Sequence, residues 1–258
     1  MTTIRTGRTG HIAWRQHGEN PQILLLHGFT DSGACWNPVI PGLGGRSVVT
    51  TDARGHGESG LPEEPFDSTD QAADAASVIE DLGLRDVVVM GHSMGGATAV
   101  SLAAARPDLV SALILEDPAV RSGAMRRGPQ PSESFLAMKA MSDEERIEKC
   151  RADNPAWSDE ELIPRCEALG QFNLDVYQRR SNNADSRPTY ETLRSLSLPV
   201  LLLHGDADRG SIVDQELLPT LGENIRALHI PGVGHSIRRE NQPAFLAAVN
   251  EFLTERLG

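Results

Sequence analysis

A series of short, almost uninterrupted apolar segments constrains this chain more than any other feature of its sequence. Turn-forming residues follow each of them, and helix-like segments lie between them. Continuous apolar character is typical of strands that are covered on both faces, whereas half-exposed strands alternate apolar and polar residues. The helix-like segments carry apolar residues at intervals of three and four. The apolar segments are residues 22–26, 47–50, 86–90, 113–115 and 200–203, and the helix-like segments are 70–82, 95–105 and 242–257.

Strands that alternate with helices predict an α/β fold with a mostly parallel, doubly covered central sheet of about eight strands. The 258 residues suffice for one such core and an insertion. From about residue 120 to 196 the alternation stops, and Ser142 and Ser158, each followed by acidic residues, are typical helix N-caps. We therefore predict a core over residues 1–119 and 197–258 and a helical cap, or lid, over residues 120–196.

Charge and composition exclude several classes of partner. The formal net charge of −12 would repel a nucleic-acid backbone, and the sequence has no extended basic run. No segment approaches the roughly 18 to 20 apolar residues that cross a bilayer, and the first residues do not resemble a secretory signal. We expect a cytoplasmic protein that binds neither membrane nor nucleic acid; its oligomeric state is left open.

The cysteines predict neither a disulfide framework nor a metal site. Cys35, Cys150 and Cys166 are odd in number and lack C-x-x-C spacing, which favours reduced structural thiols. No other cluster has the spacing of metal ligands. We expect no metal and no organic cofactor.

The segment Gly91-His92-Ser93-Met94-Gly95-Gly96 contains a G-x-S-x-G motif between an apolar strand and an alanine-rich helix. The G-x-S-x-G pattern alone is weak evidence for a nucleophile, but its position between a strand and a helix makes it specific. A serine between strand and helix must adopt a tight turn, and Gly91 and Gly95 remove side chains where the two elements approach. The helix that begins there directs unpaired amides and the positive end of its dipole at the same point. Ser93 is the candidate nucleophile.

A serine hydroxyl needs a neighbouring base before it can act as a nucleophile. His235 lies in a glycine-rich loop between the apolar run 225–230 and the last helix. That position predicts a place at the same edge of the sheet as Ser93, because strand ends of a parallel sheet converge there. His235 is the candidate base.

Backbone amides are the usual donors to the oxyanion that forms during acyl transfer. His27-Gly28-Phe29 follows the first apolar strand, and we expect the amides of Phe29 and Met94 to form the oxyanion hole. We also expect His27, Gly28 and His92 to contact the substrate. His27 has a further predicted role, which is to order its loop through hydrogen bonds.

Together these motifs resemble the α/β-hydrolase superfamily, over roughly residues 10–118 and 197–256. The resemblance implies the fold and a hydrolase with a serine, acid and histidine triad, but it is specific for no substrate. It includes the oxyanion loop at 27–29, a D-x-R-G-x-G-x-S segment at 52–59, the nucleophile turn at 91–95, the acid loop at 205–208 and the histidine at 234–235.

The acid of the triad has two main candidates, both of which keep the order serine, acid, histidine, and Asp206 is a weaker third option. Asp208 has the usual family position after strand 200–203. Asp117 follows the preceding strand. Residues 209–213 depart from the common pattern and resemble a subgroup with N-formylmaleamate deformylase and zearalenone lactonase relatives, in which the earlier strand supplies the acid. We place Asp117 before Asp208 and retain both.

The predicted function is that of a serine hydrolase. It would cleave an ester, lactone or N-acyl bond of a small organic molecule through an acyl-enzyme. Carbon–carbon bond hydrolysis, cofactor-free perhydrolysis and a hydrolase-like receptor with little turnover are the alternatives. The pairs Arg126-Arg127 and Arg179-Arg180 would suit a substrate carboxylate, although paired arginines in an acidic protein are more often solvated or salt-bridged.

Overall fold

The structure, a computed structural model, describes residues 3–120, 130–155, 157–180 and 188–258. Within these ranges eight strands form one sheet in the order β1-β2-β4-β3-β5-β6-β7-β8. The first two strands are antiparallel to their neighbours, and all other pairs are parallel. The predicted fold class is therefore confirmed. The strands are Ile4–Thr9 (β1), Ile12–His17 (β2), Ile23–Leu26 (β3), Val48–Thr51 (β4), Val87–His92 (β5), Val110–Glu116 (β6), Val200–His204 (β7) and Ile225–His229 (β8).

Helices cover both faces of this sheet. Successive strand residues point to opposite faces, so Leu24 and Leu26 of β3 join one core cluster, and Ile23 and Leu25 join another. The first cluster includes residues of α1, α2 and α7, and the second includes residues of α8 and α9. The helices are Ser68–Asp81 (α1), Met94–Ala105 (α2), Glu133–Ala140 (α3), Asp143–Asp153 (α4), Asp159–Gln171 (α5), Val176–Arg179 (α6), Tyr190–Ser195 (α7), Ile237–Glu240 (α8) and Gln242–Leu257 (α9).

Helices α3 to α7 lie in the chain between β6 and β7. Ser142 and Ser158 cap α4 and α5 as predicted, since each hydroxyl accepts a hydrogen bond from the third amide of its helix. Tyr190 and Leu193 of α7 pack into the first core cluster of the sheet. The division of the chain into a core and a cap over residues 120–196 stays a prediction.

The state of two cysteines differs from the expectation. Cys150 of α4 and Cys166 of α5 form a disulfide, and Cys35 is a buried free thiol. The spacing of the cysteines in the sequence did not indicate this disulfide, because the two residues become neighbours only when α4 and α5 pack against each other. Among the described helices, none has the length and apolarity needed to cross a bilayer.

Candidate functional site

Ser93 occupies a strained turn between β5 and α2. Its φ of 51° and ψ of −111° lie in a region that non-glycine residues rarely adopt. Glycines permit this turn: a Cβ at Gly91 would lie 2.3 Å from the carbonyl oxygen of Gly95, and one at Gly95 would lie 2.2 Å from that of Leu26. The turn directs Ser93 to the carboxyl edge of the sheet, as the sequence predicted.

Two backbone hydrogen bonds hold the Ser93 turn against the end of β6. The Ser93 amide donates to Glu116 at 3.0 Å, and the Ala119 amide donates to the Ser93 carbonyl at 3.0 Å. The Ser93 hydroxyl itself forms no hydrogen bond with any residue that the structure describes. The side chain is therefore fixed in position by its backbone, while its oxygen is left available to a ligand.

The structure joins His235 to Asp117. The distance from His235 Nδ1 to Asp117 Oδ2 is 2.5 Å. Because a carboxylate accepts, Nδ1 carries the proton and donates it to this bond, which leaves Nε2 as the basic nitrogen of the neutral ring. The His235 side chain is 35% exposed, whereas that of Asp117 is fully buried. This is the arrangement that orients a histidine as a base.

Further hydrogen bonds fix the Asp117 carboxylate. The Ser211 hydroxyl donates to Oδ1 at 2.5 Å, and the Ile212 amide donates to Oδ2 at 2.9 Å. The Asp117 amide donates to the Leu203 carbonyl at 2.8 Å. Ser211 and Ile212 belong to the segment that interrupts the usual family pattern, so this insertion supplies donors to the carboxylate of the preceding strand.

The loops of Ser93 and His235 also meet directly. His92 Nε2 donates to the His235 carbonyl at 3.0 Å, and the two imidazole centroids are 4.8 Å apart. Among the described residues, no hydrogen bond links the Ser93 hydroxyl to the His235 ring. Catalytic hydrogen bonds are often long before substrate binds, and a rotation about the Ser93 side-chain bond changes where the hydroxyl points.

Asp208 lies elsewhere. It is exposed in a short 3₁₀ turn over Ala207–Arg209, and within the described ranges no hydrogen bond or ion pair joins it to His235. Its neighbour Asp206, a weaker candidate acid, accepts from His229 Nε2 at 2.6 Å and from the Gly232 amide at 2.7 Å. The structure therefore brings Asp117, and not Asp208, to the histidine.

The two amides proposed for the oxyanion hole flank the same space. Phe29 and Met94 both line the pocket above Ser93. Within the described part of the chain, neither amide donates to another residue. The amide of Met94, the first residue of α2, also lies at the positive end of the helix dipole. The oxyanion hole itself stays a prediction.

His27, Gly28 and His92 are not among the residues that line this pocket, and their contact with the substrate stays a prediction. Both ring nitrogens of His27 bind backbone: Nδ1 donates to Gly28 at 2.8 Å, and Nε2 accepts from the Ala53 amide at 2.9 Å. A Cβ at Gly28 would lie 2.5 Å from His92 Nδ1. These residues hold the oxyanion loop and the nucleophile turn against their neighbours, as His27 was also predicted to do.

A buried network of charged side chains connects the elements of the site, and the sequence did not predict it. Asp31, two residues after Phe29, lies 3.2 Å from Arg238, 3.0 Å from Arg239 and 3.3 Å from Arg165. Burial alone would raise the pKa of Asp31, but the three guanidinium groups outweigh it and hold that pKa well below its usual range. The members come from distant parts of the chain, so no local motif reveals them.

This network connects the elements that carry the candidate residues. Arg238 also pairs with Glu116, which precedes Asp117, at 2.7 Å. Arg165 of α5 donates to the Thr30 carbonyl at 2.6 Å. The oxyanion loop, the end of β6 and the helix after His235 are therefore held together by paired charges, and leaving one such buried charge unpaired is costly.

Buried neutral histidines predict a loss of stability in acid. Burial lowers the pKa of His56 from 6.5 to about 3, and it also lowers the pKa of His27 and of His92. The unfolded chain takes up these protons below its ordinary histidine pKa, while the folded chain does not. We expect full stability above about pH 6.5 and a progressive loss below it, up to about 1.4 kcal/mol per pH unit for each histidine.

Urea unfolding between pH 7 and pH 4.5 measures this dependence. His56→Asn, which keeps a donor for the Arg54 carbonyl that His56 Nδ1 contacts at 2.9 Å, should reduce the slope by about one proton near pH 5. An unchanged slope in that variant would contradict the assignment of His56 as a neutral buried imidazole.

The pocket over Ser93 is open to solvent and has a volume of about 130 Å³. This volume lies below the range of about 300 to 1,000 Å³ that is usual for drug-sized ligands, so the pocket favours a small substrate. Within the described residues, no group of three or more histidine, cysteine, aspartate or glutamate side chains could hold a metal ion. The pocket is lined by Phe29, Ser68, Gln71, Ser93, Met94, Ala97, Ala119 and Arg180.

Comparisons with known proteins agree with this architecture. The chain is 27% identical to N-formylmaleamate deformylase of Pseudomonas putida, over 99% of each protein. It is 26% identical to 2-(acetamidomethylene)succinate hydrolase of Mesorhizobium japonicum, over 93% of this chain and 90% of the relative. An esterase of Mycobacterium tuberculosis is 27% identical, over 98% of this chain and 89% of that protein.

Solved structures show the same fold. The crystal structure of E-2-(acetamidomethylene)succinate hydrolase superposes with a TM-score of 0.76 at 22% identity, covering 98% of this chain and 100% of that one. The N-formylmaleamic acid deformylase of Pseudomonas putida S16 also gives 0.76, at 23% identity over 96% and 100%. The model of the alpha/beta hydrolase family matches residues 23–249. The chain therefore belongs to the alpha/beta hydrolase family.

Proposed function

We propose that this protein is a serine hydrolase that cleaves an ester, lactone or N-acyl bond of a small organic molecule through an acyl-enzyme. One observation carries the proposal: the paired His235 and Asp117 side chains lie at the same sheet edge as Ser93, whose hydroxyl, in a strained turn, forms no hydrogen bond with the described residues. Phe29 and Met94, whose amides donate to no described residue, line the same open pocket as Ser93. A nucleophile, an oriented base and oxyanion donors are the parts that acyl transfer needs.

In the first half of the reaction, His235 Nε2 accepts the proton of the Ser93 hydroxyl while Ser93 Oγ attacks the substrate carbonyl carbon. The carbonyl oxygen becomes an oxyanion and accepts hydrogen bonds from the Phe29 and Met94 amides. The tetrahedral intermediate then collapses, and the alcohol or amine leaves with the proton that His235 returns to it. Asp117 stabilises the imidazolium throughout.

In the second half, a water molecule gives a proton to His235 and attacks the acyl carbon. The resulting intermediate breaks its bond to Ser93 Oγ, and His235 returns the proton to that oxygen. The products are a carboxylic acid and the free enzyme, so atoms and charge balance without a further reactant.

The relatives support this class of reaction. One is an esterase, and two others are a deformylase and a hydrolase whose names denote N-formyl and acetamido compounds. The apolar part of the pocket, formed by Phe29, Met94, Ala97 and Ala119, suits a small acyl group or leaving group.

Ester turnover tests the proposal. The purified protein should release p-nitrophenol from p-nitrophenyl acetate and p-nitrophenyl butyrate with saturation kinetics, and His235→Ala should reduce the release to near the uncatalysed rate. A receptor would behave differently: its melting temperature would rise with the ester, without turnover. Stabilisation without release would therefore overturn the hydrolase assignment.

A further inference from the structure

Arg180 is the one arginine among the described residues that line the Ser93 pocket. Its backbone is held in place: the Arg180 amide donates to the Val176 carbonyl at 2.9 Å, and Arg180 forms a parallel bridge with Phe66. Its guanidinium lies 5.4 Å from the centroid of the Phe29 ring. The charged group therefore has a defined place beside the residue whose amide is proposed to bind the oxyanion.

Apart from the Phe29 ring, the Arg180 guanidinium has no hydrogen-bond or ion-pair partner among the described residues, although it is partly buried. Its chain neighbour Arg179 is satisfied, because it donates to the Pro62 carbonyl at 2.6 Å and lies 3.7 Å from Asp175. Arg165 pairs with Asp31. Burial lowers the pKa of the Arg180 guanidinium, yet an arginine keeps its charge in proteins. Within the described ranges, the positive charge of Arg180 thus has no counterion.

The residues that line the pocket indicate which kind of ligand group could neutralise this charge. None of the described lining residues is acidic, and apart from Arg180 their side chains are apolar or neutral. A partly desolvated charge is unfavourable unless it is paired. One guanidinium matches the charge of one carboxylate and can bind both of its oxygens, whereas no second described cation lines the pocket to balance a dianion.

We propose that Arg180 binds a carboxylate group of the substrate, so that the enzyme acts on small organic acids that contain an ester, lactone or N-acyl bond. This inference rests on the proposed hydrolase function. Phe29 relates the two ends of such a substrate, because its amide is the proposed oxyanion donor and its ring lies 5.4 Å from the guanidinium. The carboxylate and the scissile carbonyl would therefore be separated by a short spacer.

Matched pairs of esters test the proposal. In each pair the members differ only in one carboxylate, which is free in one and methylated in the other. Mono-p-nitrophenyl adipate and its methyl ester place the carboxylate on the acyl side, and meta-acetoxybenzoate and its methyl ester place it on the leaving group. For at least one pair, the wild type should prefer the free acid by about 10-fold or more in kcat/KM.

Arg180→Gln should lower kcat/KM for the free acid by about 10-fold more than for its methyl ester, and so remove that preference. Arg180→Lys should retain part of the preference, because it keeps the charge without the planar fork. Arg179→Gln is the matched control and should behave as the wild type. Equal losses on both esters in Arg180→Gln, or no preference in the wild type, would overturn the inference.

A binding measurement separates this inference from the proposed function. Calorimetric titration with meta-hydroxybenzoate, which cannot be hydrolysed, should show binding to the wild type and at least about 10-fold weaker binding to Arg180→Gln. Binding through Arg180 without ester turnover would contradict the hydrolase but support the anion site. Ester turnover that does not depend on Arg180 would support the hydrolase and contradict the anion site. If Arg180→Gln fails to fold by circular dichroism, Arg180→Lys and the wild-type ester preference decide.

Discussion

Replacing Ser93 with alanine should lower kcat/KM for p-nitrophenyl butyrate by about 10³-fold or more. The change removes the only atom that can form the acyl-enzyme in the proposed mechanism. The backbone bonds of Ser93 to Glu116 and Ala119 remain, so the fold should persist. Steady-state release of p-nitrophenol measures the loss, and circular dichroism verifies the fold.

Ser77→Ala is a matched control for this change. The Ser77 hydroxyl binds the Ala73 carbonyl within α1, at 2.9 Å and away from the pocket. Its removal should leave the rate within about 2-fold of the wild type, as is usual for surface substitutions. A Ser93→Ala variant as active as this control would show that another group attacks the substrate.

Replacing Asp117 with asparagine should lower kcat/KM by about 10³- to 10⁴-fold, whereas Asp208→Asn should leave it within about 2-fold. An asparagine cannot stabilise the imidazolium, and it permits the wrong tautomer of His235. Asp208 is exposed, and among the described residues no hydrogen bond or ion pair joins it to the histidine. The two variants are measured side by side with the same ester.

Asp117 also accepts hydrogen bonds from Ser211 and Ile212, so its replacement will disturb the local structure as well. Ser211→Ala separates the two effects, since it removes a donor to Oδ1 and leaves the Asp117–His235 bond in place. We expect a loss of about 10-fold or less for this variant. A large loss in Asp208→Asn together with a small one in Asp117→Asn would reverse the assignment of the acid.

Features set by local sequence were predictable. The apolar segments predicted β3, β4, β5 and β7, because strands buried on both faces need continuous apolar residues. The last helix was predicted at its observed bounds, Gln242–Leu257. No apolar segment indicated β1, since it is an edge strand whose residues are mostly exposed. The turn at Ser93 was predictable because its glycines and its position between strand and helix are visible in the chain.

Features set by tertiary contacts were predictable only in part or not at all. The unusual residues 209–213 placed Asp117 before Asp208, but both stayed candidates because the sequence does not show that Ser211 and Ile212 reach the Asp117 carboxylate. Similarly, the sequence cannot show which arginine of the pair Arg179-Arg180 is paired. Folding places Arg179 against the Pro62 carbonyl and Arg180 in the pocket. Residues 126 and 127, the other arginine pair, lie outside the described residues.

Covalent labelling tests most directly whether Ser93 is the nucleophile. Diisopropyl fluorophosphate reacts with a serine that a neighbouring base activates, and peptide mass spectrometry identifies the modified residue. We expect one phosphoryl group per chain on Ser93, loss of ester turnover in proportion to labelling, and much slower labelling of Asp117→Asn. Turnover that persists after Ser93 is fully labelled, or inactivation with the label on a different residue, would contradict that role of Ser93.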